Sequence, residues 1–327
     1  MVLIKRSIVF LSIFIFNFNA AKAQNEHIKP NIESIVAFGD SLSDNGNYLS
    51  LSKKLEKTMP LEPYFAGRAS NGKVWVEYLA QSTEANLINY AFVGALTYGE
   101  NKKYPKGLDL LSQVKNYKTQ YYSKKPNPDK TLYTIWIGAN NIFSINLSQP
   151  IITYNRLFNL TDEIIDNLNE LVDYGAKYIF IGSIPDLGNI PLTNDIDSYK
   201  KMKIILSGFT KFENYLLNKK IEKFKEKNKN VTIIYFDTNE MFNKIKQNPG
   251  RFFISNIKNS CYKGVPNEPP PQNVSCENSK DYLFWDLVHP STKIHCFAAI
   301  EIEKNLSHIF QSQSKSKLQD KFCSELN

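Results

Sequence analysis

Short strand-like runs alternating with longer helical patterns predict an α/β protein, a three-layer α/β/α sandwich around a central, mostly parallel sheet of five strands. Three observations carry this expectation. Five runs rich in Val, Ile, Leu, Phe and Tyr, at 35–38, 87–92, 132–137, 177–184 and 231–236, read as strands, most of them apolar without alternation, as strands buried on both faces are. Segments with apolar residues at helical spacing lie between them, long enough to serve as crossovers joining parallel strands. No internal repeat and no Gly/Ser-rich linker divides the 327 residues, so a single large domain is expected.

The elements follow in order. Before the first strand, Lys5 and Arg6 precede an apolar run at 8–18, and Ala21-Lys22-Ala23 offers small residues for cleavage. This reads as a secretory signal peptide over 1–23, leaving a mature domain of 24–327. The run is shorter than the roughly 20 residues that span a bilayer, and Ser12 and Asn17 interrupt it. After the first strand, helices are expected at 74–81, 108–120, 154–174, 199–227 and 291–310, with a polar tail after Gln311.

Ligands of such sheets bind at the carboxyl ends of the strands. The first strand runs into Gly39-Asp40-Ser41, the second into Val93-Gly94-Ala95 and the third into Gly138-Ala139-Asn140-Asn141. Glycine supplies tight turns and exposed backbone N–H groups, asparagine a side-chain donor and serine a nucleophile. These are parts of an acyl-transfer site, which also needs a base. The four histidines after residue 23 are His27, His289, His295 and His308. His27 follows the cleavage site and His308 is expected on a helix face, so both read as solvated. His289 sits in Trp285-Asp286-Leu287-Val288-His289-Pro290, where Pro290 keeps the chain extended before the last helix. Asp286, three residues earlier, is close enough to accept from Nδ1–H and leave Nε2 as the base, although a surface Asp–His pair has the same spacing.

FGDSLSDNGN at 38–47, NYAFVGA at 89–95, IWIGANN at 135–141 and DLVHP at 286–290, in that order, resemble the four signature blocks of the GDSL or SGNH hydrolase family. That resemblance implies a flavodoxin-like fold with Ser41 as nucleophile. Gly94, Asn140 and the Ser41 N–H would form an oxyanion hole, and Asp286 and His289 complete a triad. GRASNGKVWVEYLA at 67–80 and PDLGNIP at 185–191 resemble the branch of bacterial secreted phospholipases A, lysophospholipases A and glycerophospholipid:cholesterol acyltransferases. The implied activity is a secreted serine esterase that hydrolyses phospholipids or lysophospholipids through an acyl-enzyme, with cholesterol as an added acyl acceptor. It calls for no metal and no cofactor. The third block departs from the family's G-x-N-D, with Asn141 where the aspartate stands; a change in the support behind Asn140 is expected, with Asn140 still in place.

A calcium loop opening at Asp40 needs an oxygen ligand at its third position and a glutamate at its twelfth, where Leu42 and Leu51 stand. Ser43 competes as nucleophile, but Ser41 follows the strand directly. The same chemistry would serve a carbohydrate or general carboxylesterase, and a non-catalytic secreted lipid- or carbohydrate-binding protein would need no triad. Lys5, Arg6 and Lys22 leave with the signal peptide, so the formal charge falls from +8 to +5, a mildly basic balance compatible with peripheral contact with an anionic membrane surface. No basic cluster with interleaved aromatics marks a nucleic-acid partner. Four cysteines in an exported chain predict disulfides, in one of three connectivities. Cys261 and Cys276 are the obvious pair, because YKGVPNEPPPQNVS between them is loop-forming; lying shortly before the Asp–His block, this loop reads either as a lid over the site or as a surface staple.

Overall fold

The computed structural model describes residues 30–123, 125–145, 148–269, 271, 276–311 and 319–326. The expected signal peptide lies outside the described residues. Five parallel strands, β1 (Ser34–Gly39), β2 (Asn86–Asn89), β3 (Thr131–Trp136), β4 (Tyr178–Gly182) and β5 (Thr232–Phe236), form one sheet in the order β2-β1-β3-β4-β5. The helices in chain order are α1 (Asn47–Lys54), α2 (Trp75–Thr83), α3 (Leu110–Gln120), α4 (Ala139–Phe143), α5 (Pro150–Phe158), α6 (Leu160–Asp173), α7 (Pro191–Asp195), α8 (Asp197–Lys200), α9 (Lys203–Lys227), α10 (Thr238–Gln247), α11 (Thr292–Leu306) and α12 (Asp320–Ser324).

Strand side chains alternate between the two faces, and each face is covered. Ile35 and Ala37 of β1, with Phe180 and Ile234, pack against α2, α10 and α11. Val36 and Phe38, with Tyr133, Ile135 and Ile179, pack against α3, α6 and α9. The result is the expected three-layer sandwich, and it explains why the strands read as unbroken apolar runs. β1 lies between β2 and β3, so the chain changes winding direction there, and the carboxyl ends of these three strands open the crevice that holds the site.

Several elements differ from expectation. The helix expected at 154–174 is two helices: Pro150 opens α5, and Asn159 breaks the run before α6. The 199–227 pattern is likewise divided between α8 and α9. Further elements were not anticipated, the short helices α4, α7 and α12 among them. α1 follows Gly46 inside the polar block. α10 is capped by Asp237, whose side chain accepts from the N–H groups of Asn239 and Glu240. A parallel two-stranded sheet joins β6 (Asn256–Ser260) to β7 (Tyr282–Phe284). Cys261 bonds Cys276 as expected, and Cys296 bonds Cys323, which ties α12 to α11. Part of the tail after Gln311 is therefore packed: Cys323 is fully buried in the core.

Candidate active site

β1 ends at Gly39, where a Cβ would lie 2.3 Å from the Trp136 carbonyl oxygen; only glycine lets β1 and β3 approach so closely before the chain turns. Gln113 of α3 holds this residue from the side, accepting from Gly39 N–H and donating to its carbonyl, both at 2.8 Å. The Asp40 carbonyl accepts from the N–H groups of Ser43 and Asp44 at 3.0 Å, a tight turn that carries Ser41 at its outer edge. Ser43 faces inward instead, fully buried, with its Oγ accepting from Trp75 Nε1 at 3.1 Å. Asp44 accepts from four backbone N–H groups, those of Gly46, Asn47, Tyr48 and Val93, at 2.7 to 3.1 Å. It thereby fastens the serine loop to the loop carrying Gly94. Burial pushes the Asp40 carboxyl up to about 7, against a hydrogen bond from Leu42 N–H at 3.1 Å, and the Asp44 carboxyl up to about 6, against its four hydrogen bonds.

The 285–290 segment is an extended turn, closed by Trp285 N–H on the His289 carbonyl at 2.8 Å and by a bridge between Phe284 and Pro290. Asp286 is fully buried; its Oδ1 accepts from Val288 N–H at 2.7 Å and His289 N–H at 2.6 Å. Its Oδ2 meets His289 Nδ1 at 2.8 Å, and His289 Nε2 stands 2.8 Å from Ser41 Oγ. The structure thus brings Ser41, His289 and Asp286 into one hydrogen-bonded line. It adds a residue that sequence reasoning missed: Tyr64 Oη donates to Asp286 Oδ2 at 2.7 Å from 222 positions away. Its ring packs edge-on against Tyr262 and Trp285, beside the Cys261–Cys276 disulfide. Nothing local around Tyr64 signals this contact.

Gly94 takes φ +80°, in a turn closed by Ala95 N–H on the Phe92 carbonyl, and the Tyr104 ring covers the place a Cβ would occupy, at 2.3 Å. Asn101 Nδ2 donates to the Gly94 carbonyl at 2.9 Å. Asn140, in the first turn of α4, gives one amide hydrogen to the Ala95 carbonyl at 3.0 Å, which orients the carboxamide and leaves a second N–H to donate.

The Asn141 departure has a structural partner. Asn141 is buried, its Oδ1 accepts from Thr97 N–H at 3.1 Å and its Nδ2 donates to Thr97 Oγ1 at 2.7 Å, while the Thr97 hydroxyl donates to Glu163. Burial raises the Glu163 carboxyl, against the hydrogen bond from Thr97. A carboxylate at 141 could not donate to Thr97 and would share its single hydroxyl hydrogen with Glu163. Asparagine here is matched to the glutamate of α6.

The other histidines stand apart. His295 is buried in α11, where its Nδ1 accepts from Trp75 N–H at 3.3 Å; burial, and then the neighbouring His289, push it down to about 3. His308 is exposed in the turn after α11, and His27 lies outside the described residues.

Ser41, Gly94, Asn140 and His289 line one cavity of about 470 Å³. Its walls include Leu42, Phe143, Leu187, Leu192, Tyr199 and Leu287. Residues 263–269 and Pro271 line it as well, so the disulfide-closed loop does lie over the cleft; residues 270 and 272–275 fall outside the described residues.

The family model for GDSL-like lipase/acylhydrolase matches residues 35–302. The chain belongs to this family. A GDSL hydrolase is a serine ester hydrolase, so the line formed by Ser41, His289 and Asp286 lies within an esterase fold. Among curated proteins, this GDSL chain is 28% identical to the secreted effector protein SseJ of Salmonella typhimurium, over 90% of the chain and 71% of that protein. It is 26% identical to the phosphatidylcholine-sterol acyltransferase of Aeromonas hydrophila, over 84% of the chain and 90% of that enzyme. It is 27% identical to the thermolabile hemolysin of Vibrio parahaemolyticus, over 84% of the chain but only 65% of that protein.

Proposed function

We propose that this protein is an exported lipolytic esterase that cleaves acyl esters of phospholipids or lysophospholipids through an acyl-enzyme, with a sterol as an alternative acyl acceptor. The observation that carries the reading is the line from Ser41 Oγ to His289 Nε2 and from His289 Nδ1 to Asp286, with 2.8 Å at each link. His289 takes the Ser41 proton as Oγ attacks the ester carbonyl. The oxyanion is held by the N–H groups of Ser41 and Gly94 and by the free amide N–H of Asn140. Collapse expels the alcohol, which takes the proton from His289, and water or a sterol hydroxyl then attacks the acyl-serine with His289 again as base. Each oxyanion donor is worth on the order of 100- to 1000-fold in rate.

The lipid substrate is supported by the apolar walls of the cleft and by the likeness to an acyltransferase whose name specifies phosphatidylcholine and a sterol. Export is supported by the two disulfides and by the N-terminal pattern of basic, apolar and small residues. The mature domain would begin near residue 24. The deciding experiment compares wild type with Ser41→Ala on phosphatidylcholine, lysophosphatidylcholine, phosphatidylglycerol and a p-nitrophenyl ester, with and without cholesterol. Fatty acid release from the lipids by wild type alone is expected, and cholesteryl ester formed only when cholesterol is added. Turnover of the p-nitrophenyl ester with every lipid untouched would favour a general carboxylesterase, and turnover by Ser41→Ala would remove the serine from its role.

A further inference from the structure

A second cavity of about 170 Å³ lies outside the catalytic cleft, bordered by α10, α11 and the 185–190 segment. Its inner wall is apolar: Trp136, Met241, Phe284, Ile294 and Ala298 line it, each 5% exposed or less. Its rim is polar, with Lys211 and Asn243 exposed and Lys246 half-buried. The one acid on that rim, Asp186, already accepts from Gly188 N–H, Asn189 Nδ2 and Ser207 Oγ. Lys246 donates to the Asn189 carbonyl at 3.3 Å, and Lys211 has no hydrogen bond or ion pair among the described residues. Leu42 and Val288, the sequence neighbours of Ser41 and His289, line both cavities, so the second one adjoins the place where an acyl chain would be released.

This lining runs from charge at the surface to hydrocarbon inside, which suits an amphiphile. The inner wall holds no charge to offset a carboxylate, because burial keeps His295 neutral, so an anionic head stays at the rim and only the chain enters. We propose that this cavity binds a fatty acid, with its alkyl chain against Trp136, Met241 and Phe284 and its carboxylate between Lys211 and Lys246. An apolar cavity of about 150 Å³ holds a benzene ring, so about six to eight carbons have room here.

The choice of a fatty acid rests on the acyl-hydrolase reading; the cavity and its lysines do not. Ser41→Ala protein is therefore titrated calorimetrically with octanoate, and with octan-1-ol as the uncharged head on the same chain. One octanoate per chain is expected. Met241→Trp in that background fills the cavity and abolishes binding, with circular dichroism and melting to confirm folding and Ala298→Leu as a second filling variant. Lys211→Gln with Lys246→Gln weakens octanoate at least tenfold and leaves octan-1-ol within twofold. Octanoate that binds a folded filling variant as tightly as the parent sits elsewhere and overturns the proposal, as does no binding at all or indifference to the lysine pair. Residual turnover by Ser41→Ala would instead sink the catalytic reading and leave the binding result standing.

Discussion

Replacing Asn141 by aspartate restores the residue common in the family's third block, yet the structure predicts that this chain is harmed by it. Asn141 Nδ2 donates to Thr97 Oγ1, and the only hydrogen of that hydroxyl goes to Glu163. Asn141→Asp removes the donor and aims a second carboxylate at one hydrogen. A buried polar group left unmatched costs about 1–3 kcal/mol. Asn141→Asp leaves such a mismatch, so a loss of about 1–3 kcal/mol is expected. Burial raises the Glu163 carboxyl, so its protonated form is favoured in the folded chain; its contribution is present at low pH and lost as pH rises through the carboxyl range. The penalty should accordingly be small near pH 4 and full at pH 8. Urea unfolding at the two pH values measures it, provided the slope with urea is unchanged. Glu163→Gln in the same chain should recover at least about 1 kcal/mol, because its carboxamide competes less for the hydroxyl hydrogen. A variant within about 0.5 kcal/mol of wild type at pH 8, or a double mutant that is simply additive, would refute this account.

The remaining predictions concern the cleft and its support. Gly94→Ala strains a φ of +80° and drives a methyl into the Tyr104 ring, so turnover on a p-nitrophenyl ester should fall on the order of 100- to 1000-fold, with Tyr104→Ala recovering part of it; a rate unchanged by Gly94→Ala would show that its N–H takes no part. Tyr64→Phe keeps the ring against Tyr262 but drops a hydrogen bond to the buried Asp286 carboxylate, and about a tenfold loss in kcat at constant KM is expected, whereas equal kcat would mean that Asp286 is held well enough by the turn. His295 is pushed down to about 3 from an ordinary 6.5 by burial, so below about pH 6.5 the unfolded chain takes a proton that the folded chain refuses. Stability should therefore fall by up to about 1.4 kcal/mol per pH unit on this account, and His295→Gln should flatten that acid limb in a thermal-melt series; an unaltered slope would assign the limb to other groups.

Much of the scaffold was legible because its signals are short-range. Buried strands announce themselves as apolar runs, and Gly39, Gly94 and Gly138 mark where the chain turns away from the sheet, which places three polar blocks on one edge. The 285–290 turn was legible for the same reason, since Pro290 keeps the backbone extended and Asp286 is only three residues from His289. α10 was legible in principle: Asp237-Thr238-Asn239-Glu240 carries a capping signal at its start. The division of 154–174 was harder, because both halves keep one apolar face and only Pro150 and Asn159 mark the ends.

The sequence by itself determined the fold class, the strand ends that meet at the site and the serine, histidine and aspartate that could be linked there. Only the tertiary structure decided that Tyr64 braces Asp286, that Glu163 answers Asn141, that Cys296 pairs with Cys323, and that the disulfide loop walls the cleft. The physical reason lies in range: periodicity and turn chemistry are set by neighbours a few residues apart, whereas these partners stand from 22 (Asn141 and Glu163) to 222 (Tyr64 and Asp286) positions apart and meet only when the helical layers close over the sheet.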